Sequence, residues 1–479
     1  MNIQKILYLS IFSLCSFTAF SYDWYQETHF KWHENALADE NFWHKLSFPQ
    51  NFLWGAATSA FQIEGTKSAN NTHCENSWTM HAACDGGYCK VDSKIKHAAI
   101  PQPGTACDHY DRYKEDVQLI KKAKLNSYRF SIEWSKIEPQ EGIFDEDAMQ
   151  HYIDLVDELI KYGIKPIPCL FHHAWPVWFD QKGAFEKAKN IPDFVEFAEY
   201  VFEKLNNKVD MWMTFNEPVG YALEGYFRGK YPPFKKWHLK LCGKVVRNML
   251  DAHIDIYHRF KEINPKAQVG FPKVFQPLDP YYSLHPLDRY ICKGFNYLLH
   301  EATLNYFKTG HFYWGYRVKK YNKKAIKALD FLGVNYYTHT VILNCKEYKR
   351  PEEMFTTNKK ERSCYPEGLY RAIKRAAQLG VPLYIAENGM NDPEDLFKNI
   401  YLKKHLWVVQ LALKEKIDIR GYFWWTLMDS FSWKNNTDSK MGIYSVDLAS
   451  ITKERILCKS FEPFINFLGS SNNTNIAHS

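Results

Sequence analysis

Eight short apolar runs, each closing on polar residues and each followed by amphipathic sequence, constrain this chain more than any other feature. They are "FLWGAAT" (52–58), "SYRFSI" (127–132), "PIPCLF" (166–171), "DMWMTF" (210–215), "QVGFP" (268–272), "FLGVNYY" (331–337), "PLYIAE" (382–387) and "GYFWWTL" (421–427). Runs of this length suit strands buried on both faces. Helical patterns lie between them. "HYDRYKEDVQLIKKAK" (109–124) places Tyr113, Val117, Ile120 and Lys124 on one face, with Leu119 and Ala123 beside them; "DAMQHYIDLVDELIKYG" (147–163) stops at Gly163; "IPDFVEFAEYVFEKLNN" (191–207) opens near Pro192. Such an alternation predicts parallel βα units. Eight of them suit a closed (β/α)8 TIM barrel with inserted loops better than an open doubly wound sheet, because no Gly-x-Gly-x-x-Gly follows any run. No linker or repeat divides residues 45–465, so one barrel domain is expected over 22–470, with a disordered tail at 471–479.

On such a barrel, chemistry collects at the carboxyl ends of the strands. Polar residues gather there: Gln62 and Glu64, Arg129, His172, Asn216 and Glu217, Tyr337, Glu387 and Asn388, then Trp425. Within "DMWMTFNEPVG" (210–220), Glu217 could serve helix-starting chemistry or an ion pair; it could also be a catalytic acid. Glu387 closes its own run in the same way, also beside an Asn. Two carboxylates facing each other across a barrel mouth fit glycoside hydrolysis. One gives a proton to the leaving oxygen, and the other stays ionised to attack the anomeric carbon or to activate water. Their environments must then separate their acidities, and Arg129 and Tyr337 are candidates to hold the ionised one.

Aromatic residues make up 16% of the chain, which suits stacking on sugar rings as well as filling a core. The net charge of +7 comes without a dense basic tract or nucleic-acid motif, so it reads as a mildly basic surface and no nucleic acid is expected as a partner. "RVKKYNKKAIK" (317–327) is expected to lead into a solvated helix. The N-terminus "MNIQKILYLSIFSLCSFTAFS" reads as a secretory signal peptide over residues 1–21, cut after Ser21. Its apolar run is short for an anchor, so a secreted or periplasmic protein, free of the membrane after cleavage, is expected. Cys74, Cys84, Cys89 and Cys107 fall in one loop. His73, Cys74, Cys84 and Cys89 loosely resemble metal ligands, but the spacing matches no zinc pattern well, and two disulfides among the four cysteines are the favoured expectation. Cys169 is expected to be a buried thiol. Asn70, Asn435 and Asn472 head glycosylation sequons.

The stretches "FLWGAATSAFQIEG", "DHYDRYKEDVQLIKKAKLNSYRFSIEWSKIEP", "TFNEP", "FLGVNYYT", "YIAENG" and "GYFWWTLMDSF", in this order over about residues 48–450, resemble family-one glycoside hydrolases, the β-glucosidase and β-galactosidase group. The resemblance implies a retaining β-glycosidase acting through a covalent glycosyl-enzyme, with no metal or organic cofactor and a carbohydrate β-glycoside as its partner. It implies Glu217 as acid/base and Glu387 as nucleophile. It further implies Asn216 on the sugar 2-hydroxyl, and Arg129 and Tyr337 holding the nucleophile. Gln62 and His172 would bind other glycon hydroxyls, Trp425 would lie beneath the sugar, and Ser432 and Trp433 belong to the last loop of the site.

The resemblance has three departures. His173 stands where members often carry Trp or Phe. Ser432, in "DSFSW", replaces a Glu that grips the outer hydroxyls O4 and O6, a loss of ~1.5–3 kcal/mol for a glucose-like glycon. Members acting on 6-phosphorylated sugars also carry Ser here, but with a Lys and a Tyr downstream; in "SKMGIY", Lys440 is one step off and Met441 replaces the Tyr. Transglycosylation on the same site and a receptor-like relative without turnover compete with hydrolysis; retention of both Glu residues disfavours the latter.

Overall fold

The computed structural model describes residues 41–69, 74–81, 88–90, 96–98, 103–315, 317–350, 353–356, 361–433 and 439–471. The expected signal peptide, His73, Cys84, the three sequon asparagines and the tail from residue 472 onward lie outside them.

All eight apolar runs form strands: β1 Leu53–Ala57, β2 Ser127–Ser131, β3 Lys165–Cys169, β4 Met211–Met213, β5 Gln268–Val274, β6 Phe331–Asn335, β7 Leu383–Asn388 and β8 Ile419–Trp425. Each pairs in parallel with the next, and β8 closes on β1 with Ala57 opposite Trp425, giving a closed eight-stranded barrel. The strands lack polar alternation because both of their faces are covered. Inside, Ala57, Ile167, Cys169, Met211, Met213, Phe331 and Phe423 pack together below the mouth. Outside, a larger apolar layer joins strands to helices.

The three expected helices are α1 His109–Lys122, α2 Glu146–Lys161 and α3 Ile191–Leu205. Asp145 caps α2 by accepting from the Ala148 N–H at 2.9 Å. Lys124 lies past the end of α1, exposed and at φ 60°. Further elements follow: α4 Pro218–Tyr226, α5 Leu239–Ile263, α6 Pro286–Asn296, a π-helical turn Tyr297–Glu301, α7 Ala302–Thr309, α8 Pro366–Ala376, α9 Lys398–Lys414 and α10 Glu462–Ser471.

Two expectations are corrected. The basic stretch 317–327 does not lead into a helix. Val318–Tyr321 pairs antiparallel with His311–Trp314, and only the Lys323–Ala325 turn follows. Its first residue is buried and the next three exposed, so the lysines sit on a solvated strand edge. The disulfide expectation also fails for Cys74 and Cys107, which are free, buried thiols. Each donates to a backbone carbonyl, Cys74 to Ser135 at 2.5 Å and Cys107 to Asp429 at 3.0 Å, so the two point into separate parts of the core. Cys84 and the Cys89 side chain lie outside the described residues, as does any bridge between them. No cluster of metal-ligating side chains occurs among the described residues. Cys169 is a buried free thiol, as expected. Among the described residues no helix is long and apolar enough to cross a membrane.

Candidate active site

After β4 the backbone stays tied to its neighbours. The Thr214 N–H bonds Gly270 O at 3.0 Å, Asn216 N–H bonds Phe171 O at 2.7 Å, and Glu217 N–H bonds Pro272 O at 2.9 Å. Glu217 then takes a left-handed conformation (φ 48°, ψ 56°), and Pro218 opens α4. The Glu217 side chain makes no cap bond to that helix, so helix starting does not account for its carboxylate. Positive φ at a residue other than glycine is costly and concentrates at functional sites. Gly220 leaves room for the result: a Cβ there would stand 3.0 Å from Glu217 Oε2.

Glu387 is aimed by irregularities at the end of β7. The register on β6 shifts between Val334 and Asn335, and on β8 between Ile385 and Asn388. Arg129, wholly buried on β2, donates through Nη1 to Glu387 Oε1 at 2.6 Å and to Ala386 O at 3.0 Å. Tyr337 OH donates to Glu387 Oε2 at 2.6 Å. Burial, then the charges of Glu387 and Glu217, push the Tyr337 phenol well above its usual range, so it remains a donor. Both oxygens of Glu387 are therefore occupied by donors.

Arg129 and two amides join the two carboxylates. Asn216 Oδ1 accepts from Arg129 Nη2 at 2.7 Å and from Asn335 Nδ2 at 3.0 Å, and that same Asn335 nitrogen donates to Glu217 Oε1 at 2.9 Å. This turns Asn216 Nδ2 toward His172 Nε2, 3.0 Å away. His172 is held well below its usual range by burial, then by His173 and Arg129, so it is a neutral ring. With Nε2 accepting from the amide, its proton sits on Nδ1, which is buried without a hydrogen-bond partner. Gln62 spends Nε2 on Phe431 O at 2.6 Å and leaves Oε1 buried and likewise unsatisfied. Both atoms belong to residues lining one cavity of ≈ 310 Å³, which also takes in Asn216, Glu217, Glu387, Tyr337, Trp425, Ser432 and Trp433. A buried donor and a buried acceptor left open beside a cavity call for a ligand that supplies both, as a hydroxyl does. The Trp425 ring lies 5.4 Å from His172.

The model of the glycosyl hydrolase family 1 matches residues 44–473. The chain belongs to that family. It is thus a glycoside hydrolase, and its substrate is a carbohydrate. Among its relatives, Beta-glucosidase 24 of Arabidopsis thaliana is 30% identical, with 88% of this chain and 90% of the relative aligned. A 6-phospho-beta-galactosidase of Clostridium acetobutylicum is 28% identical over 86% and 95%. Among solved structures, a beta-glycosidase from Pyrococcus horikoshii superposes with TM-score 0.76 at 31% identity, covering 88% of this chain and 95% of that one.

Against this family membership, the departures can be located. His173 lines the cavity, its ring 5.6 Å from Trp433. Ser432 and Met441 line it too. Lys440 does not: its ammonium is held by Val446 O at 2.8 Å and by Asp429 at 3.3 Å. Glu64 and Asn388 also stay out of the cavity. Glu64 pairs with Lys136 at 2.6 Å, and Asn388 binds Tyr336 O at 2.6 Å and accepts from Tyr422 OH at 2.6 Å. The loop after β1 packs on the mouth as its position in the barrel implies: Trp78 lies 4.6 Å from Trp433 and donates to His173 O. Asn335 escaped sequence reasoning. Its only signal was a polar residue at the end of an otherwise apolar strand, two before Tyr337.

Proposed function

We propose that this hydrolase is an exported, retaining β-glycosidase acting on β-glucoside-like O-glycosides by double displacement. Glu387 attacks the anomeric carbon while Glu217 protonates the departing oxygen; the C–O bond breaks and a glycosyl ester to Glu387 forms. Water, deprotonated by Glu217, then attacks the same carbon and releases Glu387, which restores both groups. The observation that carries this reading is the unlike treatment of the two carboxylates. Glu387 takes a guanidinium and a phenol at 2.6 Å each, whereas the amide of Asn335 serves Glu217. Neutral His172 and Gln62, with one open polar atom each, suit glycon hydroxyls, and Trp425 offers a face for the ring. Export rests on the apolar N-terminal run alone.

The Clostridium relative and Ser432 favour a second reading, a 6-phosphosugar glycon. The engagement of Lys440 away from the cavity speaks for a neutral sugar instead. A 2-fluoro glycoside should label Glu387, and azide should rescue Glu217→Ala as a β-glycosyl azide; a label on another residue would refute the assignment. A panel of aryl glucoside, galactoside, fucoside, mannoside and 6-phosphoglucoside decides the glycon, and preference for the phosphosugar would overturn the neutral-sugar reading.

A further inference from the structure

Lys273 is a fully buried lysine, one residue before the end of β5, beside the strand that leads to Glu217. Its ammonium meets Val274 O at 2.8 Å, Leu299 O at 2.7 Å and His300 Nδ1 at 2.9 Å. Those acceptors match the three protons of an ammonium. Val274 and Leu299 both line the catalytic cavity. Leu299 belongs to the π-helical turn, a geometry that recurs at functional sites. Val274 and the Glu217 carboxylate flank one point: a Cβ on Gly220 would lie 3.3 Å from Val274 Cγ1 and 3.0 Å from Glu217 Oε2. Glu217 is also bonded through its N–H to Pro272 O, the residue before Lys273.

We infer that Lys273 is a positioning residue for the acid/base: its ammonium clamps the wall formed by Val274 and Leu299 beside Glu217 and brings a positive charge to that side of the site. This rests on the reading of Glu217 as the acid/base. The charged and titratable groups facing Lys273 are Glu217 at the start of α4, His300 and Glu301 on the π-helical turn, and Arg375 on α8. Arg375 is engaged by Glu301 through a 2.9 Å bond from Nε and a second, shorter one, so those two largely offset each other. Burial pushes the Lys273 ammonium down to about 7, while Glu301 and Glu217 pull it up and Arg375 adds to the drop. His300 is held well below its usual range by burial, then by Lys273, which keeps its ring neutral and Nδ1 accepting. Coupling is reciprocal: what the Glu217 charge adds to the hold of Lys273 on its proton, the Lys273 charge subtracts from the hold of Glu217 on its own.

The test is kcat/KM against pH for Lys273→Met and Lys273→Arg, with melting temperature as a check on folding. Glu217 must be protonated to act as the acid, so loss of the cation should move the basic limb upward, by about one pH unit. Lys273→Arg should keep the limb near its wild-type position. A folded Lys273→Met with an unmoved limb, or an equal move in Lys273→Arg, overturns the inference. Should Lys273→Met fail to fold, a ¹³Cε NMR titration of Lys273 itself decides: its midpoint should fall in Glu217→Gln, and an unchanged midpoint refutes the coupling. Glu217→Ala separates the two claims. If it keeps the wild-type basic limb, the acid/base reading fails and the inference falls with it. If it abolishes the limb while Lys273→Met leaves the limb in place, only the inference fails.

Discussion

Arg129→Lys is the most informative single change at the site. The guanidinium serves Glu387 and Ala386 with one nitrogen and Asn216 with another. An ammonium keeps the charge but has one nitrogen, so holding Glu387 means giving up Asn216. The lost bond is charge-assisted, worth ~1.5–3 kcal/mol. At ~1.4 kcal/mol per decade, kcat/KM should fall about 10- to 150-fold. On the proposed roles, the fall should be similar for nitrophenyl and unactivated β-glycosides, because the lost bond lies at Glu387 and Asn216 and not at Glu217. The assay is steady-state kinetics on both leaving groups, repeated in an Asn216→Ala background. With its acceptor already gone, Arg129→Lys should cost only about a few-fold there. Activity within about twofold of wild type, or the same penalty with and without Asn216, would refute the claim that Arg129 acts by joining these two groups.

Two other predictions concern clearance and charge. Gly220→Ala puts a methyl group 3.0 Å from Glu217 Oε2, so kcat/KM should drop by about tenfold or more with little change in melting temperature; an unchanged rate would show that Glu217 has room to shift. Glu133 is pushed up to about 7, chiefly by burial. The native state therefore holds a proton that the unfolded chain releases near pH 4.5, and stability falls as pH rises from about 4.5 to 7. Glu133→Gln should flatten that slope and gain about 1–3 kcal/mol at pH 8 by thermal or urea unfolding, and a variant as steep as the wild type would refute it.

The strands were legible because burial on both faces leaves apolar runs that no other local structure explains at that length. Glu217 and Glu387 stood out for the same reason, as charges where the runs stop. Side-chain partnership was less legible. Lys273 reads in sequence as an ordinary strand-end lysine; only the approach of Leu299 and His300, from 26 and 27 residues away, makes it a buried cation. Asn335 likewise gains its meaning from Asn216 and Glu217, 119 and 118 residues earlier. Spacing suggested disulfides for Cys74 and Cys107, but pairing depends on where the thiols point, and each is directed at a carbonyl of its own. The lysines of 317–327 were misread because hydropathy in so polar a stretch separates a hairpin edge poorly from a helix face.

The bonds from Glu387 through Arg129, Asn216 and Asn335 to Glu217 form an unbroken bridge at strand ends and first turns. It behaves as a gauge: each side chain that spans the gap between the two carboxylates stands on the barrel rim. Variation in the long loops above, through insertion, exchange or recombination between relatives, can thus change which leaving group is accepted and leave the stereochemical course of the reaction as it was.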